Sequence, residues 1–264
     1  MLYCTEERKL EGNIINKILP RNKIIYYDKE KDLFYDQDHK IISLKDRVVV
    51  PISNYQDLSN FYSLLQNKGA LFANKLEDVE KIENWFEYIE PYRQIVPFET
   101  YDLSDTAFLT YLIELFGPTN EIYLTKSHEI FPVDISTLIN GFNPAMSSNN
   151  KTLLLSEKID INEDEHGKIE YQVLVERGKL MNLSRLCDSE EYIETPREVF
   201  QFVFDFLESL PKSFPKTFIL KIASTKNMYD IMDIMSLELA ASLNKTKCNL
   251  QEPIELKMSK TSKA

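Results

Sequence analysis

Glycine is the residue that most limits this chain. Only 6 of its 264 residues are glycine, about a third of average usage. Phosphate cradles of the Gly-x-Gly-x-x-Gly and Gly-x-x-x-x-Gly-Lys-Ser/Thr kinds need several glycines within a few positions. Only a residue without a Cβ lets the backbone turn that tightly and approach an anion. No stretch of the sequence supplies them, so a glycine-rich dinucleotide fold and a P-loop enzyme are excluded. Hydrophobic residues at 43% and charged residues at 28% suit a globular core and exclude a disordered or collagen-like chain. The formal net charge is −11. A surface that follows a phosphodiester backbone must be basic, and no segment concentrates Lys and Arg enough, so nucleic acid is not an expected partner.

The first twenty residues mix charge throughout, with Glu6, Glu7, Arg8, Lys9 and Glu11, and contain no apolar run of signal-peptide length. No run approaches the roughly 20 apolar residues that cross a bilayer, so a soluble, cytoplasmic protein without a membrane partner is expected. Cys4, Cys187 and Cys248 are odd in number and widely spaced, which argues against a disulfide framework or a structural zinc site. His39, His128 and His166 are isolated among polar residues and read as solvated.

The first half alternates strand and helix signals. KIIYYD (23–28) and RVVVPI (47–52) are β-branched runs of strand length. Leu58, Phe61, Tyr62 and Leu65 recur at helical spacing and predict a helix over 56–67, capped by Ser53 or Asn54 and stopped by Lys68-Gly69. ALFAN (70–74) reads as a short strand. Val79, Ile82, Trp85, Phe86 and Ile89 predict an amphipathic helix over 76–90. Prolines 91 and 97 then place a domain boundary near residue 95.

In the second half, a helix is expected over 104–116 with Ser104 as its cap and Gly117-Pro118 as its stop. EIYLTK (121–126) reads as a strand, residues 134–140 as one or two helical turns, and GFNPAMSSNNK (141–151) as a polar loop. TLLLSEKI (152–159) precedes an acidic turn. EYQVLVE (170–176) and KLMNLSRL (179–186) flank Arg177-Gly178, a two-residue hairpin signal. Thr195, Pro196 and Glu198 form a capping-box pattern for a helix over 196–209. Its expected buried face is Phe200, Val203, Phe204 and Leu207, widened by Phe202 and Phe206. TFILKIA (217–223) is a strand. Met228, Ile231, Met232, Met235 and Leu239 fit helical spacing, which makes Glu238 an exposed helix residue.

Residues 153–185, LLLSEKIDINEDEHGKIEYQVLVERGKLMNLSR, resemble the hinge strand and following hairpin of the ATP-grasp superfamily. Gly69 to Asn74 and the Trp85 segment resemble the pre-ATP-grasp domain. The resemblance is one of pattern, covers about residues 47–223, and implies an α+β fold. A two-lobed ATP-grasp-like core over 96–264 would follow a small α/β domain over 1–95. It also implies residue roles. Lys126 would lie on the nucleotide phosphates, as a lysine point charge suits, beneath loop 141–151. The backbone of Ser156, Glu157, Lys158 and Ile159 would read adenine. Glu170 matches the glutamate of a Glu-x-Arg strand, and Arg185 would meet the acyl substrate or the γ-phosphate.

The departures fall on the cations. The arginine of Glu-x-Arg is Gln172, and the aspartate that holds magnesium in the family is Lys221. Glu238 matches a second metal ligand, with Ala240 in place of the asparagine that follows it. Two readings therefore stand within the resemblance. One is an ATP-dependent carboxylate–amine ligase acting through an acyl-phosphate on a small-molecule or peptide carboxylate, with ATP and magnesium as cofactors. The other is a non-catalytic relative that has lost the metal site, in which Lys221 stands in for magnesium charge on the nucleotide. A metal site rebuilt from acids elsewhere, such as Asp230 or Asp233, is the alternative to that loss. A third reading, outside the resemblance, is an α+β interaction protein.

Overall fold

A computed structural model describes residues 1–6, 19, 21–53, 57–77, 85, 87–89, 91–92, 94–98, 105–118, 121–126, 129–134, 153–186 and 193–238. It is an α+β arrangement with three main sheets. The first is five-stranded, in the order β3-β2-β1-β4-β5, from β1 (Leu2–Glu6), β2 (Ile24–Asp28), β3 (Leu33–Tyr35), β4 (Val48–Ile52) and β5 (Leu71–Phe72). β1 is the middle strand, parallel to both β2 and β4. Sequence reading missed it because LYCTE is short and abuts a charged segment. Tyr3, Cys4 and Thr5 are nevertheless all fully buried.

Helix α1 (Leu58–Asn67) buries Leu58, Phe61, Tyr62 and Leu65, the face that the spacing predicts. Asp57 occupies the N-cap position without a side-chain cap bond, in place of the expected Ser53 or Asn54. The helix stops at Gly69, whose φ of +78° is open to glycine at little cost. Most of the expected helix over 76–90 lies outside the described residues, although Trp85 and Ile89 are buried.

The second sheet, β6-β9-β7-β8, contains β6 (Ile95–Phe98), β7 (Glu121–Lys126), β8 (Glu129–Asp134) and β9 (Leu153–Glu157). β8 was not anticipated. It takes up Asp134, where helical turns were expected, and residues 135–151 lie outside the described residues. Pro97 and Pro132 belong to the edge strands β6 and β8, where a missing ladder donor is tolerated. Helix α2 (Thr106–Phe116) is capped by Asp105, whose carboxylate accepts from the Ala107 amide, and not by Ser104.

The third sheet runs β13-β12-β14-β15, from β12 (Glu170–Glu176), β13 (Lys179–Leu186), β14 (Phe218–Thr225) and β15 (Met228–Ser236). Arg177 and Gly178 both have positive φ, which suits the two-residue turn that closes the β12–β13 hairpin. A small hairpin of β10 (Glu163–Asp164) and β11 (Gly167–Lys168) precedes it.

β15 corrects the expected helix. Its strand pairs antiparallel with β14 and carries one extra residue, Met232, at a bulge opposite Lys221/Ile222. Because both faces of β15 bury apolar side chains, Ile231, Ile234 and Met235 fall at spacings that imitate a helix.

Helix α3 (Arg197–Ser209) begins after Pro196, with no side-chain cap bond, so the capping box does not form. Its buried residues are Val199, Val203 and Phe206, one helical stripe, while Phe204 is 47% exposed. The stripe keeps Val203 and Phe206 from the expected face and adds Val199, while Phe200 and Leu207 are only partly buried. Phe206→Ala is expected to cost about 3–5 kcal/mol, and Phe204→Ala at most about 1 kcal/mol. Urea denaturation of the two variants measures the difference, and equal losses would contradict this packing.

Candidate functional site

The third sheet divides its polar residues by strand alternation. Ser184, Gln172, Lys221 and Asp233 are successive cross-strand partners over β13, β12, β14 and β15, so they share one face. The next row on that face is Glu170, Ala223 and Asp230. Gln172, Asp233 and Asp230 are 8%, 6% and 7% exposed. The β15 bulge is what brings Asp230 and Asp233, three apart, to the same face. Lys221 is half-buried among them and makes no hydrogen bond or ion pair among the described residues. On the same face, opposite Leu174, Asn182 is buried and its Nδ2 has no hydrogen-bond partner.

Arg185 belongs to the opposite face, because it neighbours Ser184 on β13 and pairs with Tyr171. Its guanidinium forms a two-pronged contact with Asp164, Nη1 to Oδ2 and Nη2 to Oδ1 at 2.6 Å each, and a third to the Gly167 carbonyl. The Arg185 hydrogen bonds hold the Asp164 carboxyl down to about 2. Arg185, which the resemblance places on the acyl substrate or the γ-phosphate, thus has a partner within the protein. It fastens the β10–β11 hairpin to β13, away from the face that carries Lys221.

For Glu238 the expected exposure is corrected. It lies just past β15, is fully buried, and accepts from Tyr62 Oη at 3.1 Å and from Asn74 Nδ2 at 3.0 Å. Asn74 Nδ2 also donates to the Thr217 carbonyl at 2.9 Å. Thr217 precedes Lys221 by four residues, roughly 13 Å at strand rise, so Glu238 serves the junction with the first sheet and not the Lys221 row. Burial pushes its carboxyl up to about 7, opposed by the hydrogen bonds.

The expected hinge lies where the chain leaves the second sheet for the third. β9 is hydrogen-bonded on both sides, by β6 and β7. Ser156 is buried with its hydroxyl unpartnered. Glu157 exchanges two contacts with Gln94: its amide donates to the Gln94 carbonyl at 3.2 Å, and its Oε1 accepts from the Gln94 amide at 3.2 Å. Lys158 is exposed and Ile159 buried. Asn162 then anchors the crossing to the end of β14, donating from its amide to the Ser224 carbonyl at 2.8 Å. Lys126 closes β7 opposite Glu129; its side chain, like loop 141–151, lies outside what is described.

The structure thus brings Glu170, Gln172 and Lys221 together and separates Arg185 and Glu238 from them. Sequence reading missed Ser184 and Asn182, whose only signal was polar residues on the inward phase of a strand. It also missed Tyr62 and Asn74, which meet Glu238 across more than 160 residues.

No family model and no characterised protein matches the sequence at a significant level. Solved structures do. The D-alanine-D-alanine ligase from Coxiella burnetii superposes with a TM-score of 0.54 at 11% identity, covering 90% of this chain and 86% of that one. A RimK domain ATP-grasp protein from Sphaerobacter thermophilus gives 0.52 at 9%, over 92% and 97%. The VanG D-Ala:D-Ser ligase from Enterococcus faecalis gives 0.52 at 10%, over 89% and 90%. The chain has the ATP-grasp fold.

In ATP-grasp terms the described residues do not fit magnesium. A hard dication needs oxygen ligands, and the position expected to supply the first of them carries the Lys221 ammonium. The oxygens of Glu238 are taken by Tyr62 and Asn74. Among the described residues no group of three or more His, Cys, Asp or Glu converges as a metal site. No described helix is long and apolar enough to cross a membrane.

The Glu238 carboxyl gives a pH dependence with a defined sign. Its folded value, about 7, lies above the ordinary 4.5, so the folded state binds the proton more tightly. The contribution to stability is full below about 4.5 and is lost as pH rises through about 7. The wild-type melting temperature is expected to fall across that window relative to Glu238→Gln. Parallel curves for the two proteins would show that Glu238 is not the group responsible.

Proposed function

We propose that this chain binds ATP between its second and third sheets. The observation that carries the reading is the crossing at 158–162, where β9 hands the chain to the sheet that bears Glu170, Gln172 and Lys221 on one face. With the Glu157 amide committed to Gln94, adenine reading falls to the backbone of Lys158 and Ile159, with Ser156 and Glu157 as its rigid base. Lys126, at the end of β7, is the proposed phosphate contact. Residues 1–95 and 96–264 are the proposed pre-ATP-grasp and ATP-grasp units.

The reaction class that goes with the fold is ligation of a small-molecule or peptide carboxylate to an amine. The carboxylate oxygen would attack the γ-phosphorus and release ADP, and the amine would attack the acyl-phosphate and release phosphate. Arg185 has no part in that proposal, since its fork is engaged by Asp164. A second reading, nucleotide binding without turnover, is favoured by a specific observation. Gln172 and Lys221, partners in the strand register, stand where the resemblance places a guanidinium and a metal-binding carboxylate.

ATP at about a hundred times its dissociation constant is expected to raise the melting temperature by about 5–10 °C, and Lys126→Ala to abolish the rise. No shift at millimolar ATP sinks the nucleotide reading. ADP release with any member of a carboxylate and amine panel selects the ligase. Binding without release under every combination selects the second reading.

A further inference from the structure

We infer that Lys221 acts as a tethered cation in this site, so that nucleotide phosphates bind without a divalent metal ion. The inference rests on the nucleotide reading above and concerns how that site meets negative charge.

A metal site of the usual kind rings a dication with carboxylates and leaves its open positions to phosphate oxygens. Here the carboxylates share their sheet face with a lysine. Glu170, Asp230 and Asp233 share one sheet face with Lys221, and Asp233 is its direct cross-strand partner. In the register Lys221 lies between Gln172 and Asp233, one row from Glu170 and Asp230. An arriving dication would meet a fixed positive charge there, and the like-charge repulsion is large where water is partly excluded.

The same placement makes Lys221 a phosphate ligand. Its side chain is half-buried, and it has no ion-pair or hydrogen-bond partner among the described residues. Its charge is thus unspent, although three carboxylates lie on the same face. A lysine ammonium is a compact point charge with three donors, the form of cation that can meet a phosphate oxygen directly. Gln172, its partner on β12, adds a neutral amide beside it. The buried Asn182 Nδ2, unpartnered on that face, is a second donor with nothing to bond in the protein. A buried donor without a partner carries a desolvation penalty, which a ligand oxygen would remove. One side chain thus supplies both the neutralisation and the phosphate contact that a metal would give.

Calorimetric titration of the full chain with ATP, in magnesium buffer and in EDTA, tests this. The expected result is the same dissociation constant within about twofold in both buffers. Lys221→Met should weaken binding in EDTA by about tenfold or more, the loss of one charge-assisted contact, while Lys221→Arg keeps most of it. Circular dichroism and the melting temperature of each variant confirm that the fold is retained. Binding that requires magnesium overturns the tethered cation and leaves the nucleotide reading standing. EDTA-insensitive binding that Lys221→Met does not weaken also overturns it. No binding of ATP in either buffer overturns both.

Discussion

Two buried carboxylates join the first sheet to the third, and they fix how the two sheets meet. Glu176, at the end of β12, accepts from Tyr3 Oη at 3.2 Å and pairs with Lys23 at 3.3 Å. Glu238, just past β15, is held by Tyr62 and Asn74. A charge taken out of water is tolerated only when donors replace the solvent, so these contacts demand one geometry between the sheets. The cost is visible in the neighbours: burial first, and then the Glu176 charge, push the Tyr3 hydroxyl far above its ordinary range. Around the carboxylates the apolar core is continuous. Tyr3, Ile24, Val50 and Ile52 from the first sheet pack in one cluster with Leu174, Ile219 and Met235 from the third.

That junction covers one end of a sheet face and leaves the other end polar. Leu174, Ile219 and Met235 form an apolar row of this face, and Gln172, Lys221 and Asp233 form the next. The face changes from apolar to polar within a single step of two residues. On the reverse face, α3 supplies Val199, Val203 and Phe206 to the core, and the Arg185–Asp164 contact pins a hairpin to the edge strand. The Arg185 charge on that side is answered within the protein by Asp164, while Lys221 has no such partner among the described residues.

How far the sequence could be read depended on whether a signal was local. The α1 stripe, the Arg177-Gly178 turn and the strands at 121–126 and 218–225 each rest on neighbours a few residues apart, and each was legible. β1 and β8 were not, because short strands gain their identity from partners elsewhere in the chain. β15 was misread since a strand buried on both faces, with a bulge, loses its alternation. The exposure of Glu238 was misjudged too, when only Tyr62 and Asn74 could show why a carboxylate would be buried there.

For the candidate site the division is similar. The scarcity of glycine and the −11 charge by themselves excluded glycine-rich phosphate cradles and a basic nucleic-acid surface, since both exclusions depend only on which residues exist. The order of strand signals through 121–223 was enough to carry a resemblance to the ATP-grasp fold. Composition and order are one-dimensional properties, and a sequence states them fully. Which cations and acids share a face is not such a property. Strand register decided that Lys221 stands with Gln172, Asp233, Asp230 and Glu170, and that Arg185 stands behind them. In a pleated sheet a shift of one residue reverses every side chain, so only the paired structure could assign those charges to one surface or the other.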